Sequence, residues 1–200
     1  MYVYNINMDK RRKGLISNFF KPSIYVRSFN DVNINQLKRQ GIRLFICDLD
    51  NTLAPHYTRL PNKDVLSFIK KVRNADIEFV IMSNNVKTRV AMYAKRAGVE
   101  EYYANAKKPF KKIAKSIIDK RNIHPSKVIF MGDQIIMDIL VANRLKAESI
   151  LVQPLVSTDY KMSPFNLFLE NKIYKNLEKK NILKRGDFSK ALLGESFELL

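Results

Sequence analysis

Four short runs, at residues 43–47, 77–82, 128–131 and 149–152, constrain this chain more than any other feature. Each is largely apolar and has the length of a strand. Strands covered on both faces read as near-continuous hydrophobic stretches, which is the mark of a parallel sheet. The segments between them have helical periodicity. In residues 62–74, Val65, Leu66, Phe68, Ile69 and Val72 recur at spacings of three and four. Similar patterns run through residues 86–97, 109–121 and 134–145, with Pro109 expected in the first turn of its helix. Strands alternating with helices of this length require crossover connections and a sheet covered on both sides. The expected fold is therefore α/β: a three-layer α/β/α sandwich around a mostly parallel, Rossmann-like sheet. Residues 22–26 add a short extended candidate, residues 33–40 a helix, and residues 164–180 a basic amphipathic helix.

Two of the runs end in pairs of acids. Asp48 and Asp50 follow the first, and Asp133 and Asp138 follow the third. Open parallel sheets bind ligands outside the carboxyl ends of their strands. Carboxylates gathered there repel one another unless a divalent cation sits between them, so the pattern points to a Mg²⁺ site. Asp48 and Asp50 lie two residues apart, which in extended chain puts both side chains on one side. One can attack phosphorus while the other handles the proton of the leaving alcohol and then of the attacking water.

Such a reaction needs positive and hydrogen-bonding partners for the phosphoryl oxygens. Ser83, with Asn84 and Asn85, follows the second run and offers a hydroxyl and backbone N–H groups. Lys107 and Lys108 precede Pro109, where a cation and a helix start can converge on one anion. Taken singly, each element has an ordinary structural reading; Ser-Asn-Asn and Asp133 both serve well as helix caps. The ordered set, one member after each strand, is far more specific.

Composition narrows the class further. Two hundred residues, 46% hydrophobic, suffice for one domain with a proper core. The single cysteine, Cys47, lies within an apolar run, which fits a buried hydrophobe and a reducing, cytoplasmic compartment. No run approaches the about 18 apolar residues of a membrane span. The net charge of +17 favours anionic partners such as lipid headgroups, RNA or phosphorylated substrates. Lysine outnumbers arginine and asparagine is plentiful, as translation of an AT-rich genome would also produce, so the charge alone names no partner. The expected organisation is a basic N-terminal segment at 1–19, a catalytic domain at 20–180 and a C-terminal tail at 181–200.

The set of motifs resembles that of the haloacid dehalogenase superfamily of phosphohydrolases: Asp48-Leu49-Asp50-Asn51-Thr52-Leu53, then Ser83, then Lys108-Pro109, then Gly132-Asp133 with Asp138 five residues on. The likeness extends to the YqeG subfamily of class IIIA phosphatases. It is carried by residues 21–28, by Gln134, by Asn143-Arg144, and by Pro154-Leu155 followed by Thr158-Asp159. This resemblance covers residues 20–180 and implies Asp48 as nucleophile, Asp50 as acid/base and Ser83, with Asn84, at the phosphate. It further implies Lys108 as the neutralising lysine and Asp48, Asp133 and Asp138 as Mg²⁺ ligands, joined by the backbone carbonyl of Asp50. Superfamily ATPases carry Thr at the second acidic position, so Asp50 indicates a phosphatase. His56, just beyond the signature, is placed to touch substrate but reads more simply as a loop histidine, as does His124 beside Pro125.

Superfamily members take much of their substrate choice from cap domains inserted after the first or second motif. Residues 52–77 and 86–106 each hold little more than one helix, so no cap domain is expected and the site should be open. An open, basic site suits a phosphate on something large: a lipid at an anionic membrane, a phosphoprotein or a nucleic-acid end. Residues 10–20 and 164–180 are candidate contacts for a peripheral position at the inner membrane face. Organellar relatives of the subfamily act on phosphatidylglycerophosphate, which the resemblance makes the leading substrate. A basic RNA- or ribosome-associated protein with secondary phosphatase activity is the alternative from another class, although nothing here resembles an RNA-recognition motif.

Overall fold

In the computed structural model, which describes residues 16–156 and 163–189, strands and helices alternate along the chain. They are β1 (Ile24–Val26), α1 (Ile34–Arg39), β2 (Leu44–Cys47), α2 (Lys63–Asn74), β3 (Glu78–Met82), α3 (Lys87–Arg96) and β4 (Tyr102–Tyr103). Then follow α4 (Lys112–Asp119), β5 (Val128–Gly132), α5 (Leu140–Leu145), β6 (Glu148–Val152) and α6 (Pro164–Lys179). The strands form one parallel sheet in the order β1-β6-β5-β2-β3-β4.

Period-two alternation in β2 divides the interior into two layers. Phe45 and Cys47 face one side, where they pack with Leu37 of α1, Phe68 and Ile69 of α2 and Tyr93 of α3. Leu44 and Ile46 face the other, against Ile117 of α4 and Val141 of α5. Each such side chain, fully buried, contributes about 1.5–3 kcal/mol. Helices on both faces of a parallel sheet, with no folded insertion after β2 or β3, make the three-layer, uncapped α/β/α sandwich.

The connectivity fixes where a ligand can bind. From β2 the chain moves outward through β3 and β4, then returns to the other flank of β2 for β5 and β6. The neighbours of β2 are thus reached in opposite directions, which makes its carboxyl end the topological switch point. Cys47 is in register with Ile81 of β3 and Met131 of β5, so the residues after all three strands emerge at one edge.

Side-chain caps set the start of α1 and α2. Asn62 caps α2 by accepting the Val65 N–H at 2.9 Å, and Asn33 caps α1 through the Gln36 N–H at 3.0 Å. Three details depart from expectation. Pro109 lies ahead of α4 instead of within its first turn: the Lys108–Pro109 bond is cis, Lys107 has φ 53°, and the Phe110 N–H closes a turn on the Lys107 carbonyl. The chain after β5 opens with a π-helical turn, Ile135–Ile139, before α5 begins. In α6 the inward stripe of Ile173, Tyr174 and Leu177 also carries the buried Glu170, while Phe165 and Phe168 stay exposed.

β4 was not foreseen, being two residues long. Residues 181–189, expected as the start of a tail, pack back on β1. Leu183 is buried beside Tyr25, the Phe188 ring lies 4.9 Å from the Tyr25 ring, and the Ser189 N–H reaches the Tyr25 carbonyl at 2.7 Å. Asn143 donates to the carbonyls of Phe19 and Lys21 at 2.8 and 2.9 Å, tying α5 to the chain entering β1. Lys10 to Lys13, Thr158 and Asp159 lie outside the described residues. No helix among the described residues is long and apolar enough to cross a membrane.

Candidate active site

Asp48 leaves the end of β2 with its N–H donating to the Met131 carbonyl of β5 at 2.8 Å, so the sheet itself orients it. Asp133 follows β5 directly, and the π-helical turn swings Asp138 back toward both. The three carboxylates are buried, and each offers an oxygen within 4.8 Å of the others. Gly132 permits this approach, since a Cβ built there would stand 2.1 Å from Asp138 Cγ.

One cation sits among these acids. Lys108 Nζ lies 2.7 Å from Asp48 Oδ1 and 2.7 Å from Asp138 Oδ1, its side chain almost wholly enclosed. The loop carrying it is clamped by Asn84, whose side-chain amide donates to the Lys108 carbonyl at 3.0 Å and accepts the Lys108 N–H at 2.7 Å. Asn84, expected at the phosphate, is thus engaged with the lysine loop. The buried Ser83 anchors its own loop, its N–H donating to the Tyr103 carbonyl and its hydroxyl accepting the Asn85 N–H at 3.1 Å.

Three acids against one lysine leave the cluster short of positive charge. Burial pushes the Asp48 carboxyl up to about 7, with Lys108 opposing and Asp138 adding to the rise. Burial, then Asp48 and Asp138, raises Asp133 well above the usual carboxylate range. Burial would lower Lys108, but Asp138 and Asp48 more than offset it and hold the ammonium charged. Asp133 Oδ1 accepts the Thr52 hydroxyl at 3.2 Å, while Oδ2 has no hydrogen-bond partner among the described residues. A buried carboxylate oxygen left bare beside two further carboxylates fits a hard, oxygen-seeking divalent cation.

Asp50 stands apart from that cluster. Arg89 of α3 reaches its Oδ1 through Nη2 at 3.1 Å and Nε at 3.3 Å, and Asn85 donates to Oδ2 at 2.7 Å. The same guanidinium donates to the Thr58 carbonyl and lies over the Tyr93 ring at 5.1 Å. The carboxylate is therefore fixed in orientation and charge-balanced at the rim. As a metal ligand, Asp50 would act through its backbone carbonyl alone.

A fourth acid holds the loop that carries Asp138. Glu170 of α6 accepts the N–H groups of Ile135 and Ile136 at 2.6 and 3.1 Å. Burial raises its carboxyl to about 7 against the pull of those two donors. Beside it lies a cavity of about 460 Å³ lined by Tyr25, Asp133, Gln134, Tyr174 and Arg185.

Arg89, Thr52 and Glu170 were missed in the sequence, as was the grip of Asn85 on Asp50. Thr52 lies within the acidic signature and could have been found there, and Arg89 lies in the first turn of the helix after Ser83. Glu170 has no local signal at all. His56 is half-buried with its ring edge-on to Tyr57, and the exposed His124 caps the turn at Pro125–Lys127. Neither histidine touches the carboxylates.

An aspartate at the switch point of an uncapped parallel sheet, facing a buried lysine and two further aspartates, places the protein among the haloacid dehalogenase phosphatases. More narrowly, the chain belongs to the family described as mitochondrial PGP phosphatase, whose model matches residues 13–157. It is 27% identical over 166 residues to "Probable phosphatase YqeG" of Bacillus subtilis (strain 168), covering 83% of this chain and 96% of that one.

Among solved structures it is similar to 3-deoxy-D-manno-octulosonate 8-phosphate phosphatases. The Moraxella catarrhalis enzyme, in complex with magnesium, phosphate and KDO, is 17% identical with a TM-score of 0.43, covering 52% of this chain and 65% of that one. The cobalt-bound Haemophilus influenzae enzyme is 15% identical with a TM-score of 0.43, covering 73% and 95%. At those scores neither likeness bears on the chemistry of this chain.

Proposed function

We propose that the protein is a Mg²⁺-dependent phosphomonoesterase working through an aspartyl-phosphate on Asp48, with phosphatidylglycerophosphate at an anionic lipid surface as its substrate. The observation that carries the reading is the buried cluster of Asp48, Asp133 and Asp138 around Lys108, with one Asp133 oxygen bare. The family match supports the substrate, and the absence of an inserted cap in the described residues suits a phosphate presented on a surface.

In the first displacement a carboxylate oxygen of Asp48 attacks phosphorus, the bond to the alcohol oxygen breaks, and Asp50 gives that oxygen its proton. In the second, Asp50 takes a proton from water as the water attacks the aspartyl-phosphate. Inorganic phosphate leaves and Asp48 is regenerated. Arg89 and Asn85 hold Asp50 in place for both transfers, while Lys108 and the Ser83 hydroxyl meet the charge on the phosphoryl oxygens. A bound Mg²⁺, held by Asp48, Asp133, Asp138 and the Asp50 carbonyl, would supply further positive charge to those oxygens. The cavity beside Asp133 offers room for part of the alcohol.

Phosphate release from phosphatidylglycerophosphate in anionic vesicles tests the reading, with Asp48→Asn as the blank. Release that needs Mg²⁺, stops with EDTA and disappears in the variant is the expected result. Hydrolysis of aryl phosphates without any release from the lipid would overturn the substrate and leave the chemistry standing.

A further inference from the structure

We infer that the loops ringing the active-site mouth form a membrane-docking face, whose partner is the headgroup layer of an anionic bilayer. The inference rests on the lipid-substrate reading and names the surface that would deliver that substrate.

The observation is that six of the ten exposed large apolar side chains among the described residues lie beside the site. Tyr57, Phe110, Phe165 and Phe168 are 67, 69, 67 and 61% exposed, and Val86 and Leu155 are exposed as well. Single exposed apolar residues are ordinary on any protein surface, whereas a contiguous set marks an interaction site. Each of these residues is anchored, through itself or a near neighbour, to a group of the site.

Tyr57 adjoins Thr58, whose carbonyl is held by Arg89, the partner of Asp50. Val86 adjoins Asn85, which donates to Asp50. Phe110 lies two residues past Lys108. The Leu155 N–H donates to the Asn51 carbonyl at 3.0 Å. Phe165 and Phe168 occupy the opening turns of α6, just before Glu170 and its bonds to Ile135 and Ile136. Five separate segments, after strand ends or opening α6, thus carry exposed apolar groups at the carboxyl edge of the parallel sheet.

Charge selects the partner. Arg59, Lys87, Lys107 and Lys111 are exposed and stand within three residues of Tyr57, Val86 or Phe110 along the chain, on a protein of net charge +17. Aromatic rings settle at headgroup depth, and basic side chains between them are drawn to anionic lipid. A protein surface as partner would more often bury its apolar groups under a polar rim than intersperse them with lysine. Docked by this edge, the open mouth faces the headgroups, and a phosphomonoester anchored in the bilayer reaches Asp48 without leaving it.

The test is vesicle flotation of the full chain with phosphatidylcholine vesicles, with and without phosphatidylglycerol. Three rim variants are compared with wild type: Phe165→Ser with Phe168→Ser, Phe110→Ser, and Tyr57→Ser. The controls are Met92→Ser on α3 and Phe19→Ser, which precedes β1 at the opposite edge. Hydrolysis of a soluble aryl phosphate is followed in parallel, so that a misfolded variant is recognised.

Wild type should float only with phosphatidylglycerol present, and the double phenylalanine variant should lose about tenfold in partition. The rim variants should keep their aryl phosphate turnover, and the controls should float like wild type. Equal binding by rim and control variants, or no wild-type binding to anionic vesicles, overturns the docking face. So does a wild-type dimer in solution that the rim variants convert to monomer, which would make the face a self-interface. Rim-dependent binding without hydrolysis of phosphatidylglycerophosphate would sustain the docking face and sink the substrate reading.

Discussion

Gly132 and Asp138 are packed so closely that a methyl group on the first would stand 2.1 Å from the carboxyl carbon of the second. The absence of a side chain at the end of β5 is what lets the π-helical turn fold its aspartate back over the strand. Gly132→Ala should displace Asp138 from Lys108 and lower kcat/KM by about a hundredfold or more, as misplacement of a reacting constellation does. Overpacking of this kind costs about 1–3 kcal/mol, so the fold should survive. Steady-state kinetics together with a thermal melt separate the two effects; a fully active variant would show that Asp138 has no placed role.

Lys108 is the cation balancing Asp48 and Asp138 from within the protein. Replacing it by methionine removes the charge while keeping the bulk. Breaking a buried ion pair from one side costs about 3–5 kcal/mol. Lys108→Met should therefore melt well below wild type in EDTA, and Mg²⁺ should recover a larger share of stability than it adds to wild type. Activity should fall with it. A variant as stable as wild type without metal would mean that the acids need no internal counter-charge.

Much of this arrangement was legible because it is written locally. Asp48, Ser83 and Asp133 each terminate an apolar run, and a strand end is a position the pattern itself marks. What stayed hidden depends on contacts far apart in the chain. Arg89 on Asp50 spans 39 residues and Glu170 on Ile135 spans 35, and no window of sequence contains both partners. Pro109 misled because proline suits a first helical turn equally well as the turn that here precedes it. β4 is too short to carry any periodicity.

Asp48 and Asp133 set the response to pH. Burial raises Asp48 to about 7 and Asp133 well above its usual range. Unfolded, both would lose protons near pH 4, at about the ordinary carboxyl value. Between those limits the metal-free folded state binds more protons than the unfolded one, so its stability falls as pH rises through the interval. Mg²⁺ bound as proposed would engage the ionised carboxylates, so its stabilising effect should grow over the same interval. Melts in EDTA should drop between about pH 5 and pH 8, and the Mg²⁺-induced gain should be larger at the upper end. The reverse trend would contradict the raised carboxyl values.

Arg89 binds Asp50 with two nitrogens and the Thr58 carbonyl with a third. A lysine there keeps the charge but cannot reproduce the fork. Arg89→Lys should lower kcat by about tenfold or more with little change in KM, because positioning Asp50 as the proposed proton carrier acts on the transition state. Arg89→Ala should cost more, in melting temperature as well as rate. A change confined to KM would assign Arg89 to substrate binding instead.

The bond from Glu170 to the amides of Ile135 and Ile136 has a bearing on how much of the chain the catalyst needs. The family match stops at residue 157, after the last strand, yet the turn bearing Asp138 is pinned from thirteen residues beyond that point. A fragment trimmed to the matched segment would retain every strand of the sheet but leave two buried donors bare. Each such loss costs about 1–3 kcal/mol. Trimmed protein should accordingly be far less active than the full chain, while Glu170→Gln, which leaves one acceptor oxygen, should fall between them. The folded unit is thus larger than the signature that identifies it, and α6 is a strut of the loop that carries Asp138.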